Sequence, residues 1–321
     1  MTRGLVGNHM SFLDLSRTEC GTFRVGMDGV KSIQTPKDRK TEFIGFEDKT
    51  LVKVKSAFDY PAFYPLHEAC FEKKAEAVLM DLDGTSVNSE EFWVWVIEKT
   101  IKTLMDNPRF ELCEGDLPFV SGHSVSEHLQ YCIDSYCPEK TLSAARAHYF
   151  EITRYEMNEI MNGRGNLTAF KPTEGLDDFL YTLKDQGIKI GLVTSGLYEK
   201  AMPEIISAFK QLKMGDPFDF YDSIITAGYP LNKGFAGTMG ELSPKPHPWL
   251  YAESACVGMG IPFERRHKVI GIEDSAAGVI SVRLAGFACL GVNDGNIKAA
   301  GVEPLLHGKM NPLHKLLSEI I

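Results

Sequence analysis

Cysteine pairs of the C-x-x-C type are missing from these 321 residues. The seven cysteines, Cys20, Cys70, Cys113, Cys132, Cys137, Cys256 and Cys289, are odd in number, scattered, and include no C-x-x-C. A disulfide framework and a structural zinc site are therefore not expected, and reduced thiols in a cytoplasmic setting are. Long apolar runs are missing too: none approaches the roughly 18 residues of a membrane span, and Met1–Leu15, broken by polar and charged residues, has no signal-peptide h-region. Nor is there a cationic excess. Lys and Arg number 34 against 43 Asp and Glu, a formal charge of −9. Nonspecific attraction to nucleic acid or to an anionic membrane is not expected of such a chain. An anionic ligand would need a local group of cations or a metal. Internal repeats and low-complexity tracts are absent. What remains, with 44% hydrophobic and 24% charged residues, has the composition of an ordinary globular chain with a sizeable core, long enough for one large domain or two modest ones.

Residues 1–74 carry no assignable motif and form an N-terminal extension, either a small accessory sheet or an arm, with short β-like runs such as Thr50–Val54. From Ala75 the pattern becomes regular. Apolar runs at Ala75–Met80, Ile188–Val193, Ser223–Thr226, Val269–Ile272 and Ala288–Val292 suit strands buried on both faces. Helical stretches lie between several of them, at Leu176–Lys184, Glu199–Leu212, Pro248–Val257 and Ala276–Ala285. Strand–helix alternation predicts an α/β, Rossmann-like parallel sheet. It is interrupted after the first strand by mainly helical sequence, with Glu90–Met105 one helix and Leu142, Ala145, Tyr149 and Ile152 the apolar face of another. This divides the chain into an α/β core domain (75–88 and 172–321) and an inserted helical cap domain (89–171).

Ligands of parallel α/β sheets bind at the carboxyl ends of the strands, and four of these ends carry reactive or charged residues. The first run is followed by Asp81-Leu82-Asp83-Gly84-Thr85. Two carboxylates in a turn opened by glycine can serve as nucleophile and as proton donor and acceptor, although Asp pairs also cap helices and turns. The second ends in Thr194-Ser195-Gly196, a hydroxyl and small-residue cradle for phosphate, or simply an N-cap. Lys245, fixed between Pro244 and Pro246, can neutralise phosphoryl charge or lie idle on a proline-rich loop. The fourth is followed by Glu273-Asp274-Ser275, with Gly278 beyond it. Acids brought close to other carboxylates call for a cation, and a hard divalent ion answers that need; alternatively the Asp caps the next helix.

Taken together, the order Asp-x-Asp-Gly-Thr, Thr-Ser, Lys, Glu-Asp resembles the motif set of the haloacid dehalogenase superfamily, and in particular its β-phosphoglucomutase-like, small-molecule phosphatase branch, over residue 75 to the C-terminus. The resemblance implies a Mg²⁺-dependent phosphatase acting on a small phosphorylated metabolite, a sugar phosphate among the candidates, through a phospho-aspartate. It makes Asp81 the nucleophile and a metal ligand, and Asp83 the general acid/base with its backbone carbonyl on the metal. Thr194, Ser195 and Lys245 become phosphoryl-binding residues. Asp274 becomes the main metal carboxylate, and Glu273 its direct or water-mediated partner. The second acid, Asp83, implies a phosphate ester rather than a dehalogenase or phosphonate substrate.

Two departures separate the chain from the mutases themselves. Trp93 stands near the position of a cap histidine that controls the acid/base. The counterpart of the specificity loop, Val120–His128, has neither the Lys nor the Arg of that family; His123 and His128 are its candidate replacements. Hydrolysis is therefore expected over phosphoryl transfer to a second alcohol. A phosphomutase, and a non-catalytic binding protein that keeps the fold, are the alternatives. The glycine-rich stretch from Tyr229 to Gly240 reads as an insertion, inert or mobile, before the lysine motif.

Overall fold

The structure, a computed structural model, describes residues 11–55, 61–119, 125–227, 243–293 and 295–321. His123 and the glycine-rich stretch 229–240 lie outside the described residues. In chain order, five strands come first: β1 (Leu13–Asp14), β2 (Ser32–Thr35), β3 (Thr41–Gly45), β4 (Thr50–Lys55) and β5 (Pro61–Pro65). After β6 (Ala77–Asp81) come β7 (Val87–Asn88), α1 (Glu90–Leu104), α2 (Val125–Tyr136), α3 (Leu142–Met161) and β8 (Lys171–Pro172). The chain then alternates through α4 (Leu176–Asp185), β9 (Lys189–Leu197), α5 (Tyr198–Leu212), α6 (Pro217–Phe220), β10 (Ser223–Ala227), α7 (Trp249–Glu253), β11 (Val269–Glu273), α8 (Ala276–Leu284) and β12 (Ala288–Gly291). It closes with α9 (Ile297–Ala300), β13 (Gly308–Lys309) and α10 (Leu317–Ile320). Among the described residues no helix is long and apolar enough to cross a membrane.

The contacts divide the chain into two units, one of residues 1–86, 174–198 and 218–321, the other of 87–173 and 199–217. The first holds the α/β sheet, with strands in the order β10-β9-β6-β11-β12-β13, all paired in parallel. β6 and β11 are buried at every position, so apolar side chains are needed on both faces, and the sequence supplies them at Ala77–Met80 and Val269–Ile272 before Asp81 and Glu273 close the strands.

The same unit contains the N-terminal extension, which is a five-stranded antiparallel sheet in the order β1-β2-β3-β4-β5. The register aligns Phe43 with Val52 and Val52 with Tyr64. Alternation then sends Phe43, Val52 and Val54 to one face, where with Phe12 they join the main apolar cluster beside Leu250, Tyr251, Val279 and Val302. The opposite face buries Ile33 and Ile44 with Val30. It also buries an ion pair, Lys53 Nζ to Glu42 Oε2 at 2.9 Å.

In the second unit, α1 turns Phe92, Val96, Ile97, Ile101 and Leu104 inward. α3 runs on to Met161 because Met157 and Ile160 extend its buried stripe beyond the residues that suggested it. α2 begins at Val125, so the second half of the stretch expected to be a loop is helical. α5 makes its side-chain hydrogen bonds here: Gln211 Nε2 donates to the Phe170 carbonyl at 2.7 Å and Ser207 Oγ to that of Leu167 at 3.2 Å.

Candidate active site

β6 lies between β9 and β11, and Asp81 closes it. The parallel register sets Asp81 beside Val193 and Met80 beside Ile272. Thr194 and Ser195, in the last part of β9, therefore lie on one side of Asp81, and Glu273 and Asp274, at the end of β11, on the other. The turn after Asp81 depends on Gly84. Its φ is +80°, and a Cβ there would stand 2.1 Å from Asp274 Oδ2, so a side chain is barred by both backbone and space. Ser86 Oγ donates to the Asp81 carbonyl at 2.6 Å, Thr85 Oγ1 donates to Asp274 Oδ1 at 3.5 Å, and the Asn293 amide donates to the Gly84 carbonyl.

Lys245 is the hub. Its Nζ donates to an Asp81 oxygen, to Glu273 Oε1 at 2.7 Å and to the Val193 carbonyl at 3.1 Å. An ammonium has three donors, and here all three are used. Its backbone N–H donates to Ser195 Oγ at 3.0 Å. Burial alone would push its pKa down, but Asp81 and Glu273 reverse that and hold it above the ordinary lysine range. Beneath it the Tyr251 ring centroid lies 5.1 Å from Nζ, and the Tyr251 hydroxyl donates to Glu273 Oε1. Ser275 Oγ donates to Glu273 Oε2 at 3.1 Å. Gly278 leaves room for this carboxylate: a Cβ would fall 1.9 Å from its carbon.

Three carboxylates thus meet one ammonium. Ligand atoms of Asp81, Glu273 and Asp274 all lie within 4.8 Å of one another. Burial, with Glu273 next in weight, raises the Asp81 pKa well above the carboxylate range despite Lys245. Asp274 is pushed up to about 7 by burial and Glu273, with Asp83 adding to the effect. Such a set is short of positive charge, and its hard oxygens fit a small divalent cation such as Mg²⁺. Asp83 is half-buried at this edge. Thr194 is buried, and its hydroxyl accepts the Gly196 N–H at 2.9 Å, shaping the end of β9 where Ser195 meets Lys245.

The structure brings Asp81, Asp274, Glu273, Lys245 and Ser195 together, with Asp83 on the turn after β6 and Thr194 in β9 beside them. It adds Tyr251 and Asn293, which sequence reasoning missed. Asn293 was findable, since the run Ala288–Val292 ends at it as the other runs end at their polar residues. Tyr251 reads as one more apolar position of a helix. In the second unit His128 is buried, and the Trp93 ring carries the Lys200 ammonium 4.1 Å from its centroid.

Residues 78–292 match the haloacid dehalogenase-like hydrolase family. A candidate pyrophosphatase, PpaX, from Clostridium perfringens is 28% identical over 151 residues, 47% of this chain and 59% of that protein. The chain thus spans less than two thirds of that relative's length. Among solved structures, a candidate β-phosphoglucomutase from Thermotoga maritima aligns at 20% identity and TM-score 0.53, over 77% of this chain and 100% of the other. CbbY from Rhodobacter sphaeroides, in complex with phosphate, aligns at 18% identity and TM-score 0.51, over 75% of this chain and 96% of the other. A variant of CbbY in complex with xylulose-1,5-bisphosphate gives TM-score 0.52 at 16% identity, again over 75% and 96%. The chain belongs to the haloacid dehalogenase-like hydrolases, and its α/β unit has their fold.

Proposed function

We propose that the protein is a Mg²⁺-dependent phosphatase of a small phosphorylated metabolite, a sugar phosphate among the candidates, working through a phospho-aspartate at Asp81. The observation that carries this reading is the meeting of Asp81, Asp274 and Glu273 around the buried ammonium of Lys245. The CbbY complexes with phosphate and with a sugar bisphosphate support the substrate class. An Asp81 oxygen attacks phosphorus and the ester P–O bond breaks. Asp83 gives its proton to the departing alkoxide, then takes one from the water that attacks the phospho-aspartate, releasing phosphate and restoring Asp81. Lys245, Ser195 and Thr194 offset and orient the phosphoryl oxygens, the largest demand of such a transfer. Asp81, the Asp83 carbonyl and Asp274 would hold Mg²⁺, with Glu273 supporting the set, and the ion would supply further charge neutralisation at the phosphoryl group.

The test is phosphate release from a panel of small phosphomonoesters, with and without Mg²⁺, in the wild type and in Asp81→Asn. Release that requires Mg²⁺ and falls by at least about a thousandfold in the variant is expected, as for loss of a nucleophile. Including β-glucose 1-phosphate with a trace of its bisphosphate separates hydrolysis from isomerisation. Isomerisation without net release would instead establish a mutase. Equal release by both proteins would remove Asp81 from the chemistry.

A further inference from the structure

The loop that carries Lys245, Ser243–Pro248, contains three prolines and makes few backbone hydrogen bonds of its own. His247 N–H donates to the Pro244 carbonyl at 3.1 Å, and Lys245 N–H goes out to Ser195. Proline stiffens such a loop but does not say where it sits. Its location must come from tertiary contacts, and His247 makes them. The imidazole is buried, with Nδ1 2.8 Å from the Tyr64 hydroxyl on β5. It also hydrogen-bonds the backbone carbonyl of Lys55, the last residue of β4. Tyr64 packs edge-on against both His247 and Trp249, with ring centroids 5.8 Å apart in each pair. From the other side, Ser281 Oγ of α8 donates to the His247 carbonyl at 2.6 Å.

The sheet that supplies Tyr64 and Lys55 is itself fixed. Lys37 N–H donates to the Ala300 carbonyl at 2.9 Å, Ser11 Oγ donates to that of Gly301 at 2.8 Å, and Phe43, Val52 and Val54 lie in the main core. We propose that the N-terminal sheet is a working wall of the active site: by gripping His247, Tyr64 and the end of β4 set the Lys245 ammonium against Asp81, Glu273 and the Val193 carbonyl. Tyr64 and His247 are positioning residues, acting through Lys245. The catalytic consequence rests on the phosphatase reading; the mechanical one does not.

The experiment uses the full chain as wild type, Tyr64→Phe and Ile33→Val, the last placed on the opposite face of the sheet and away from His247. Two quantities are read: the rate at which a small N-hydroxysuccinimide ester acetylates Lys245, followed by mass spectrometry without substrate, and kcat and KM for p-nitrophenyl phosphate with Mg²⁺. Losing this half-buried hydrogen bond is expected to speed Lys245 acetylation and to lower kcat, each by about five- to tenfold, with KM within about twofold. Ile33→Val lowers Tm and leaves both quantities at wild-type values. Unchanged Lys245 reactivity in Tyr64→Phe overturns the inference, and so does faster acetylation with wild-type kcat. If the wild type releases no phosphate, the fault lies with the functional reading, and the acetylation rates alone decide whether the sheet positions the lysine.

Discussion

Gly84 and Gly278 do for the acidic cluster what no side chain could. The first lets the turn after Asp81 pass against Asp274, and the second lets Glu273 lie flat on the start of α8. Substituting Gly84 by Ala demands both a left-handed backbone at a non-glycine residue, about 1–2 kcal/mol, and a Cβ 2.1 Å from a carboxylate oxygen. The atoms such a Cβ would meet all belong to the Asp274 side chain, so the carboxylate is the group that gives way. Gly84→Ala is expected to leave a folded protein with Tm lowered by several degrees and phosphate release reduced at least about a hundredfold. Circular dichroism melts beside a release assay check this, and a variant with normal Tm and normal turnover would deny the turn its importance. These two glycines were visible in the sequence only as members of a motif. Their physical task needed the facing carboxylates.

At the scale of the element, the strand ends were the legible part. Asp81, Glu273 and Asp274 could be placed because a strand buried on both faces has no tolerance for charge, so the first acid after an apolar run marks the sheet's edge. α7 was less legible: α-helical geometry stops at Glu253 and continues as a π turn through Ser254–Gly258, a change in period that a helical pattern does not announce. The N-terminal strands were opaque for another reason. Glu42 and Lys53 pair with each other at buried positions on one face of β3 and β4, so the alternation around Val52 and Val54 suggests a strand with one face in water, whereas both faces are covered. His247 and Tyr64 are 183 residues apart, beyond any local pattern.

α2 and the 3₁₀ turn before it hold an element-scale device of their own. The buried Asp116 carboxylate accepts the hydroxyls of Tyr131 at 2.8 Å and Tyr136 at 2.6 Å, and the Cys113 N–H at 2.7 Å. Burial would raise its pKa, yet the two tyrosines and Cys113 hold it down to about 2. A carboxylate with a depressed folded-state pKa stabilises fully above its unfolded value, near 4, and that contribution disappears as pH falls through the folded value. Asp116→Asn is expected to lower stability at neutral pH by about 1–3 kcal/mol and to flatten the acid limb of a Tm-against-pH curve between about pH 4 and pH 2. A variant whose acid limb matches the wild type would show that other carboxylates carry it.

Over the whole molecule, the N-terminal sheet and the α/β core share one apolar interior. Phe12, Phe43, Val52 and Val54 pack with side chains drawn from residues 250–305, so the extension is not a detachable appendage. Removing residues 1–66 would uncover that interior at roughly 1.5–3 kcal/mol for each large side chain exposed, comparable in sum to the whole stability of a domain. The shortened chain is expected to lose its cooperative melt and to bind an apolar dye, as a loosely packed state does. A truncated protein that melts cooperatively near the wild-type Tm would show the two parts to be separable.

That shared interior has a consequence in time. On a ribosome, β3 and β4 emerge some 200 residues before the α7–α9 region that covers them, an interval on the order of ten to forty seconds at usual rates of synthesis. Hairpin pairing needs microseconds. The sheet can therefore zip its hydrogen bonds at once and then wait with Phe43, Val52 and Val54 uncovered, so the first part of the chain to gain structure is among the last to be sealed, and the nascent protein offers chaperones a defined apolar face for that interval.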